Sequence, residues 1–221
     1  MPSSSDACAV LTAAGSGSRL GCELPKALVS LSGRPLLWWA ARGLRAGGVG
    51  TIVVTAPASC IAEFRAAIDG LDDVVVVAGS DRSRQASVAL GLAALGDRGA
   101  DTVVLVHDAA RPLTPPQVTE RVIDAVAGGA GAVIPVLPVT DTLKTVDAAG
   151  VVVGTPCRSD MAAVQTPQGF RWDVLIRAHE AGASLGADEA RAATDDAGLV
   201  EAIGGTVHTV AGDERSMKVT R

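Results

Sequence analysis

The stretch from residue 9 to residue 26 constrains the fold most, because it joins an apolar strand to a loop suited to an anion. Residues 9–11 are apolar and predict a buried strand, and no side chain at 13–18 is larger than a hydroxymethyl group. Small residues let backbone N–H groups approach an anion closely, and Arg19 and Lys26 can neutralise its charge. The pattern therefore indicates a nucleoside triphosphate site rather than a site for a neutral ligand.

Three phosphate-binding motifs compete for this loop. The dinucleotide motif G-x-G-x-x-G fails because Leu20 occupies the position of the third glycine. The P-loop motif G-x-x-x-x-G-K-[ST] fails because Pro25 precedes Lys26 and Ala27 follows it. The remaining pattern, A-A-G-x-G-x-R-x₅-P-K, resembles the nucleotide loop of nucleotidyltransferases that activate sugar and polyol phosphates.

Beyond this loop the chain alternates between strand and helix patterns. About six apolar strands separated by amphipathic helices predict an α/β fold, with a mostly parallel twisted sheet and helices on both faces. The predicted strands are 9–11, 51–54, 74–78, 102–106, 131–136 and 205–211. Ligands bind at the carboxyl ends of the strands in such sheets. The three charged loops, 15–26, 79–84 and 108–111, all fall at such ends, so we expect them to form one site.

Two of these loops carry further candidate residues. In the second, Arg82 and Arg84 are candidates for triphosphate contact, although a solvated loop is an equally good interpretation. In the third, Asp108 ends a buried strand, where its carboxylate can hold Mg²⁺ or a hydroxyl group, and Arg111 can bind a phosphate bidentately. His107 resembles a general base, but a histidine at a strand end is more often satisfied by the backbone.

Residues 138–154 break the alternation. Two β-branched segments, 139–146 and 151–153, flank the turn 147–150 and predict a β-hairpin. Such a hairpin has little to pack against within its own domain. We therefore expect it to protrude and to contact a partner subunit.

Composition limits the classes of function. The 221 residues suffice for one sizeable α/β domain, and a net charge of −5 argues against a nucleic-acid-binding surface. The four cysteines show no C-x-x-C spacing, which is typical of reduced thiols in a cytoplasmic protein. No apolar run approaches the ~18 residues that a membrane span needs.

Taken together, the motifs resemble the 2-C-methyl-D-erythritol 4-phosphate cytidylyltransferase family, which uses CTP in the non-mevalonate isoprenoid pathway. They cover nearly the whole chain in the family's order. They are A-A-G-S-G-S-R-L-G…L-P-K at 13–26, R-x-x-S-V at 84–88, H-D-A-A-R-P at 107–112, D-T-L-K at 141–144, T-P-Q at 166–168, T-D-D at 194–196 and K-V-T-R at 218–221.

This resemblance implies a set of site residues and a reaction. The acceptor's phosphate attacks the α-phosphorus of CTP and expels pyrophosphate, with Mg²⁺ as the cofactor and Asp108 as its possible ligand. The implied catalytic residues are Arg19, Lys26 and Lys218. The implied nucleotide-binding residues are Ala13, Ala14, Gly15, Gly79, Arg84 and Ser87. The implied acceptor-binding residues are Asp108, Arg111, Thr142, Arg158, Thr166 and Thr194.

The resemblance also implies a Rossmann-like single nucleotidyltransferase domain, 1–221, that forms a homodimer through the arm 138–154. Thr142 and Arg158 would then reach the site of the neighbouring subunit. The sequence departs from the family pattern by an insertion in the second loop, which leaves the choice between Arg82 and Arg84 open, and by Cys157 at a commonly acidic position. A ribitol-5-phosphate cytidylyltransferase is the alternative enzyme, and a non-catalytic nucleotide-sensing module is the alternative from another class.

Overall fold

A computed structural model describes residues 7–14, 25–184, 186 and 192–220. Within these residues the chain forms twelve strands and six α-helices. The strands are β1 (Cys8–Thr12), β2 (Ser30–Leu31), β3 (Arg34–Pro35), β4 (Thr51–Ala56), β5 (Val74–Ala78), β6 (Val103–Asp108), β7 (Ala132–Pro138), β8 (Thr145–Val146), β9 (Val152–Gly154), β10 (Ala162–Val164), β11 (Gln168–Arg171) and β12 (Val207–Ala211). The helices are α1 (Leu36–Ala46), α2 (Ile61–Ala67), α3 (Arg84–Leu95), α4 (Pro116–Ala127), α5 (Trp172–Ala181) and α6 (Asp196–Ala202).

Eight strands form one sheet. Its order is β12-β7-β11-β6-β1-β4-β5, and β10 pairs with the end of β7 beyond β11. The pairs β6-β1, β1-β4, β4-β5 and β7-β12 are parallel, whereas β10 and β11 run antiparallel to their neighbours. The predicted α/β fold with a mostly parallel sheet is confirmed. The two antiparallel strands were not predicted, because their short segments lack a helix between them and show no long period-2 pattern.

The order of the strands reverses at β1. From β1 the chain proceeds through β4 and β5 on one side and then returns to β6 on the other. Such a reversal opens a crevice at the carboxyl ends of the two strands that flank it. In the register of the sheet, Thr12 at the end of β1 lies opposite Asp108 at the end of β6.

The core has one layer on each face of the sheet, as the alternation of side chains along β1 requires. Ala9 and Leu11 pack in the cluster that contains α1 and α4, while Cys8 and Val10 pack in the cluster that contains α3, α5 and α6. Helix α3 packs closely against β1 at Gly91. A Cβ atom at this position would lie 2.5 Å from a Val10 methyl group, so the close approach requires glycine. All of β6 is buried, which is typical of a central parallel strand.

The predicted hairpin is present outside the main sheet. Its first strand, β8, is shorter than the predicted segment 139–146, whereas β9 has the predicted length and lies one residue later than 151–153. The Asp147 carboxylate closes the turn by accepting the N–H groups of Ala149 and Val151. The arm therefore holds its shape through local hydrogen bonds rather than through burial. None of the described helices has the length and apolar character needed to cross a membrane.

Candidate active site

Asp108 is the centre of a charged cluster at the carboxyl ends of β1 and β6. Its Oδ1 accepts a hydrogen bond from Arg84 Nε at 3.3 Å and lies 3.2 Å from Thr12 Oγ1. Its Oδ2 accepts a hydrogen bond from Lys218 Nζ at 2.8 Å, and Arg111 Nε lies 4.0 Å away. The topology of the sheet thus brings together cations from α3, the loop after β6 and the end of the chain.

The cluster keeps Asp108 ionised although its side chain is only 10 % exposed. Burial works to raise the pKa of this carboxyl group, but the charges of Arg84 and Lys218 outweigh it and hold the pKa well below its usual range. Since Arg84, Lys218 and Arg111 surround one carboxylate, the cluster carries an excess of positive charge. Such an excess can attract a second anion, such as a phosphate.

The backbone of β6 is held by a buried histidine and threonine. Thr166 Oγ1 accepts the N–H group of Asp108 at 3.1 Å and lies 2.7 Å from His107 Nδ1. Burial lowers the pKa of His107 from 6.5 to about 4, so the ring is neutral at pH 7. The Thr166 hydroxyl has two acceptor lone pairs and one O–H donor, so it can pair with the neutral ring in either tautomer while it accepts the amide of Asp108. His107 therefore acts as a support for the strand end and not as a general base.

A second buried carboxylate joins the cluster through Arg84. Arg84 Nη1 donates to Asp196 Oδ2 at 2.7 Å, and His179 Nε2 lies 2.9 Å from Asp196 Oδ1. Asp196 is the first residue of α6 and is 1 % exposed. Although burial works to raise its pKa, Arg84 and His179 lower the pKa of Asp196. No local pattern indicates this pairing, because Arg84 and Asp196 are 112 residues apart, and the neighbouring Asp195 caps α6 by accepting the N–H of Gly198.

The last described residues fold across the strand ends. Val219 donates its N–H to the carbonyl of Ala110 at 2.8 Å, and its own carbonyl accepts Lys26 Nζ at 3.0 Å. Arg111 Nη1 donates to the carbonyl of Ser216 at 2.6 Å. This segment therefore links Lys26 to the Asp108 cluster, which brings two of the three predicted catalytic residues together.

The predicted nucleotide loop meets the second loop at the ends of β1, β4 and β5. Ala13 donates its N–H to the carbonyl of Thr55 at 3.0 Å, and a Cβ atom at Gly79 would lie 2.9 Å from the Cβ of Ala14. Ser87 Oγ accepts the N–H of Ser80 at 3.0 Å. The structure thus assembles Ala13, Ala14, Gly79 and Ser87. Gly15 and Arg19 lie outside the described residues.

Other predicted residues lie apart from the Asp108 cluster. Thr142 and Arg158 are exposed on and beside the arm, and the Arg158 guanidinium donates to the carbonyl of Thr140 at 3.1 Å. Among the described residues, no hydrogen bond or ion pair joins Thr142 or Arg158 to Asp108. Thr194 is exposed just before α6, and Arg82 is exposed beside a cavity of ≈ 580 Å³ along α3.

The arrangement disfavours Asp108 as a direct Mg²⁺ ligand. Both of its oxygens already face cationic donors, Arg84 on one and Lys218 on the other. In the described part of the chain, no group of three or more His, Cys, Asp or Glu side chains could hold a metal ion. A hard divalent cation needs several oxygen ligands and is repelled by neighbouring cations. The residues present therefore do not fit a metal held by the protein at this position.

Comparison with known proteins identifies relatives over the whole described chain. A family model described as 2-C-methyl-D-erythritol 4-phosphate cytidylyltransferase matches residues 7–221. A protein of that name from Rhodococcus jostii is 48 % identical over 213 residues, covering 96 % of this chain and 88 % of the relative. Another from Frankia casuarinae is 50 % identical over 214 residues, covering 96 % of this chain and 76 % of the relative.

Solved structures give the same result for the fold. The crystal structure of 2-C-methyl-D-erythritol 4-phosphate cytidylyltransferase from Thermus thermophilus has a TM-score of 0.72 and 35 % identity, covering 96 % of this chain and 92 % of that one. The 4-diphosphocytidyl-2C-methyl-D-erythritol synthase of Anaerococcus prevotii has a TM-score of 0.81 and 26 % identity, with 97 % and 92 % coverage.

Proposed function

The chain belongs to the 2-C-methyl-D-erythritol 4-phosphate cytidylyltransferase family, and we propose that the cluster around Asp108 is where it acts. The enzyme transfers CMP from CTP to 2-C-methyl-D-erythritol 4-phosphate and releases pyrophosphate. The product is 4-diphosphocytidyl-2-C-methyl-D-erythritol. The observation that carries the location is the convergence of Lys26, Arg84, Arg111 and Lys218 at the carboxyl ends of β1 and β6.

The reaction needs charge neutralisation more than proton transfer. An oxygen of the acceptor's phosphate forms a bond to the α-phosphorus of CTP, and the bond from that phosphorus to the β-phosphate oxygen breaks. The attacking oxygen is already an anion, which agrees with a site whose histidine is buried and neutral. Two unit charges of like sign ~4 Å apart repel by about 4 kcal/mol at an effective dielectric constant of 20, so fixed cations must offset several such pairs.

The cations divide between the two substrates. Lys26 is the last residue of the predicted nucleotide loop, where it stabilises charge on the CTP phosphates and on the leaving pyrophosphate, together with Arg19. Lys218 and Arg111 lie on the acceptor side of Asp108 and neutralise the attacking phosphate. The exposed Thr194 and the carboxylate of Asp108 provide contacts to the acceptor. CTP enters as its Mg²⁺ complex, so the metal arrives with the substrate.

The nucleotide is held where Ala13, Ala14, Gly79 and Ser87 form a surface without large side chains, and the predicted contact from Gly15 belongs to the same proposal. The close approach of Gly79 to Ala14 supports this location, because a side chain at Gly79 would fill the space between the two loops. Thr166 contributes through the backbone of Asp108, since its hydroxyl group is engaged inside the fold.

The site is completed by a second subunit. The enzyme forms a homodimer through the arm 138–154, which carries Thr142 and is followed by Arg158, and each subunit lends these side chains to the site of its neighbour. The exposure of the arm's valines supports this arrangement, because an apolar hairpin gains stability when a partner covers it. The proposal also includes a cytoplasmic location, which rests on the free cysteines Cys8, Cys60 and Cys157.

Pyrophosphate release tests the function directly. CTP and UTP are each supplied with the 4-phosphate of methylerythritol, the 5-phosphate of ribitol and erythritol phosphate. We expect CTP with methylerythritol phosphate to give the highest kcat/KM. Faster release with ribitol phosphate would favour the alternative cytidylyltransferase, and no release with any pair would contradict the assigned activity.

A further inference from the structure

Arg84 connects the two halves of the candidate site. It begins α3, which packs against β1 and β4 on the nucleotide side of the crevice. The two carboxylates that it contacts lie on the other side, Asp108 at the end of β6 and Asp196 at the start of α6. A side chain that spans the crevice in this way can transmit the position of one half to the other.

Contacts other than the one with Arg84 hold Asp196 and the start of α6 in position. His179 on α5 holds its Oδ1 at 2.9 Å, which leaves Oδ2 directed at the guanidinium. The start of α6 is also tied to β11, because the Gln168 amide donates to Asp195 at 2.7 Å and accepts the N–H of Ala197 at 3.2 Å. Gln168 is fully buried and Asp196 is 1 % exposed, so these two side chains are shielded from water.

The two cations that donate hydrogen bonds to Asp108, Arg84 and Lys218, differ in their freedom to move. The side chain of Lys218 is 44 % exposed and lies near the end of the described chain, whereas that of Arg84 is 22 % exposed and is held by two carboxylates. An arriving phosphate can therefore draw Lys218 away from Asp108 Oδ2. A buried carboxylate that loses a partner is strongly disfavoured unless another cation stays beside it. Arg84 is the cation that stays.

We propose that Asp196, supported by His179, is a positioning residue that keeps Arg84 on Asp108, so that Lys218 can exchange Asp108 for the phosphate of the acceptor. This inference rests on the proposed function. It assigns Arg84 to the link between the two substrate sites and not to contact with the triphosphate. Asp196 touches neither substrate and acts only through Arg84.

The substitution Asp196→Asn tests this role with little change in shape. The matched control is Asp173→Asn, which also removes a first-turn carboxylate from a helix, α5, but at a position outside the site. We expect Asp196→Asn to lower kcat/KM for the acceptor by about 10- to 100-fold, as loss of a supporting partner typically does. The dissociation constant for CTP should change by less than about 3-fold, and the control should stay near wild type.

A double-substitution cycle separates positioning from a merely structural role. If Asp196 acts through Arg84, then Asp196→Asn adds less than about a further 3-fold loss to the Arg84→Gln variant, because the interaction is already gone. If the loss of kcat/KM in the double variant equals the product of the losses in the two single variants, the proposal is overturned. So would a loss of CTP affinity in Arg84→Gln that equals the loss in acceptor affinity, since that would make Arg84 a triphosphate ligand.

Two further measurements keep the outcome decisive. If Asp196→Asn does not fold, as judged by its thermal transition, Arg84→Lys replaces it, because an ammonium group cannot span both carboxylates. Its acceptor affinity should fall while CTP affinity is retained, and equal losses would again overturn the inference.

Acceptor affinity is measured by calorimetric binding of methylerythritol phosphate to enzyme filled with a non-hydrolysable CTP analogue, which needs no turnover. Wild-type pyrophosphate release tests the proposed function separately, so failure of one is distinguishable from failure of the other.

Discussion

The Asp108 cluster and the arm solve opposite physical problems. In the cluster, Asp108 and Asp196 are buried, and each meets a cation within the same chain. In the arm, Val151 and Val153 are apolar yet 58 % and 61 % exposed, and β8 and β9 pair only with each other among the described strands. One region buries charge and satisfies it, whereas the other exposes apolar surface and leaves it uncovered.

The difference shows which part of the site one chain can build alone. A buried ion-pair network is held by the surrounding fold and needs no second molecule to stay in place. An exposed β-branched hairpin has few contacts to hold it at a fixed distance from a reaction centre. We therefore expect substitutions in the cluster to act on chemistry and on the folded chain, and substitutions in the arm to act on assembly.

The largest effect should come from Lys26→Ala. Removing a preorganised cation from developing phosphate charge should lower kcat by about 10²- to 10³-fold. The fold should survive, because Lys26 lies in a short 3₁₀ turn and belongs to neither hydrophobic cluster of the core. Pyrophosphate release and the thermal unfolding midpoint measure the two quantities.

The control for that experiment is Arg65→Ala, which removes an exposed cation on α2, away from the cluster. It should retain wild-type kcat. A near-normal kcat for Lys26→Ala would show that this lysine does not stabilise the transition state, and the expected difference between the cluster and the arm would then be smaller.

A smaller but clear effect concerns pH and His107. Its pKa is about 4 in the folded state against 6.5 in the unfolded state, because burial disfavours the charged ring. As the pH falls from 6.5 towards 4, the unfolded chain binds a proton that the folded chain refuses, so stability is lost. Between pH 7 and pH 4.5 the loss amounts to about 2.4 kcal/mol, at 1.36 kcal/mol per pKa unit. Urea unfolding at pH 7 and pH 4.5 measures it.

The matched variant is His107→Asn, which removes the titrating ring. Its stability should depend less on pH across this window than that of the wild type, whatever its absolute stability. The lowered pKa values of Asp108 and Asp196 affect stability in a lower pH range. The stability that these carboxylates contribute is lost mainly as the pH falls below about 4. Equal slopes for the two proteins would show that His107 is charged in the folded state.

Arg158 tests whether the arm region serves the neighbouring subunit. Arg158→Ala should lower kcat/KM for the acceptor by about 10- to 100-fold, because one phosphate or hydroxyl contact is lost. When it is mixed and reassembled with Lys26→Ala, half of the dimers should contain one intact site of two. The mixture should then recover about a quarter of wild-type activity. Activity equal to the mean of the two parents would mean that the site is not shared.

The smallest effect on the folded chain is expected in the arm itself. Replacing Val151 and Val153 by serine should change the free energy of unfolding of the monomer by less than about 0.5 kcal/mol, because both side chains are exposed. The buried control, Val104→Ser in β6, should cost about 3 kcal/mol. Sedimentation velocity should show the doubly substituted arm shifted towards monomer. An unchanged dimer would move the interface to another surface.

Much of the fold could be predicted because its signals are local. The apolar runs at 9–11, 51–54 and 102–106 predicted β1, β4 and β6. Since parallel strands place their carboxyl ends along one edge, the sequence also indicated that the charged loops would meet there. Periodicity therefore determined which residues reach the site.

The tertiary structure alone decided how those residues pair. Lys218 meets Asp108 across 110 residues, and Arg84 meets Asp196 across 112. Which cation lies beside which carboxylate depends on the relative placement of α3, α6 and the last segment of the chain, and no local pattern encodes that placement. The sequence determined that positive charge gathers at one edge of the sheet, whereas long-range packing determined which buried carboxylates it neutralises. The physical reason is that the pKa of a buried acid, and the role that follows from it, depend on neighbours contributed by distant parts of the chain.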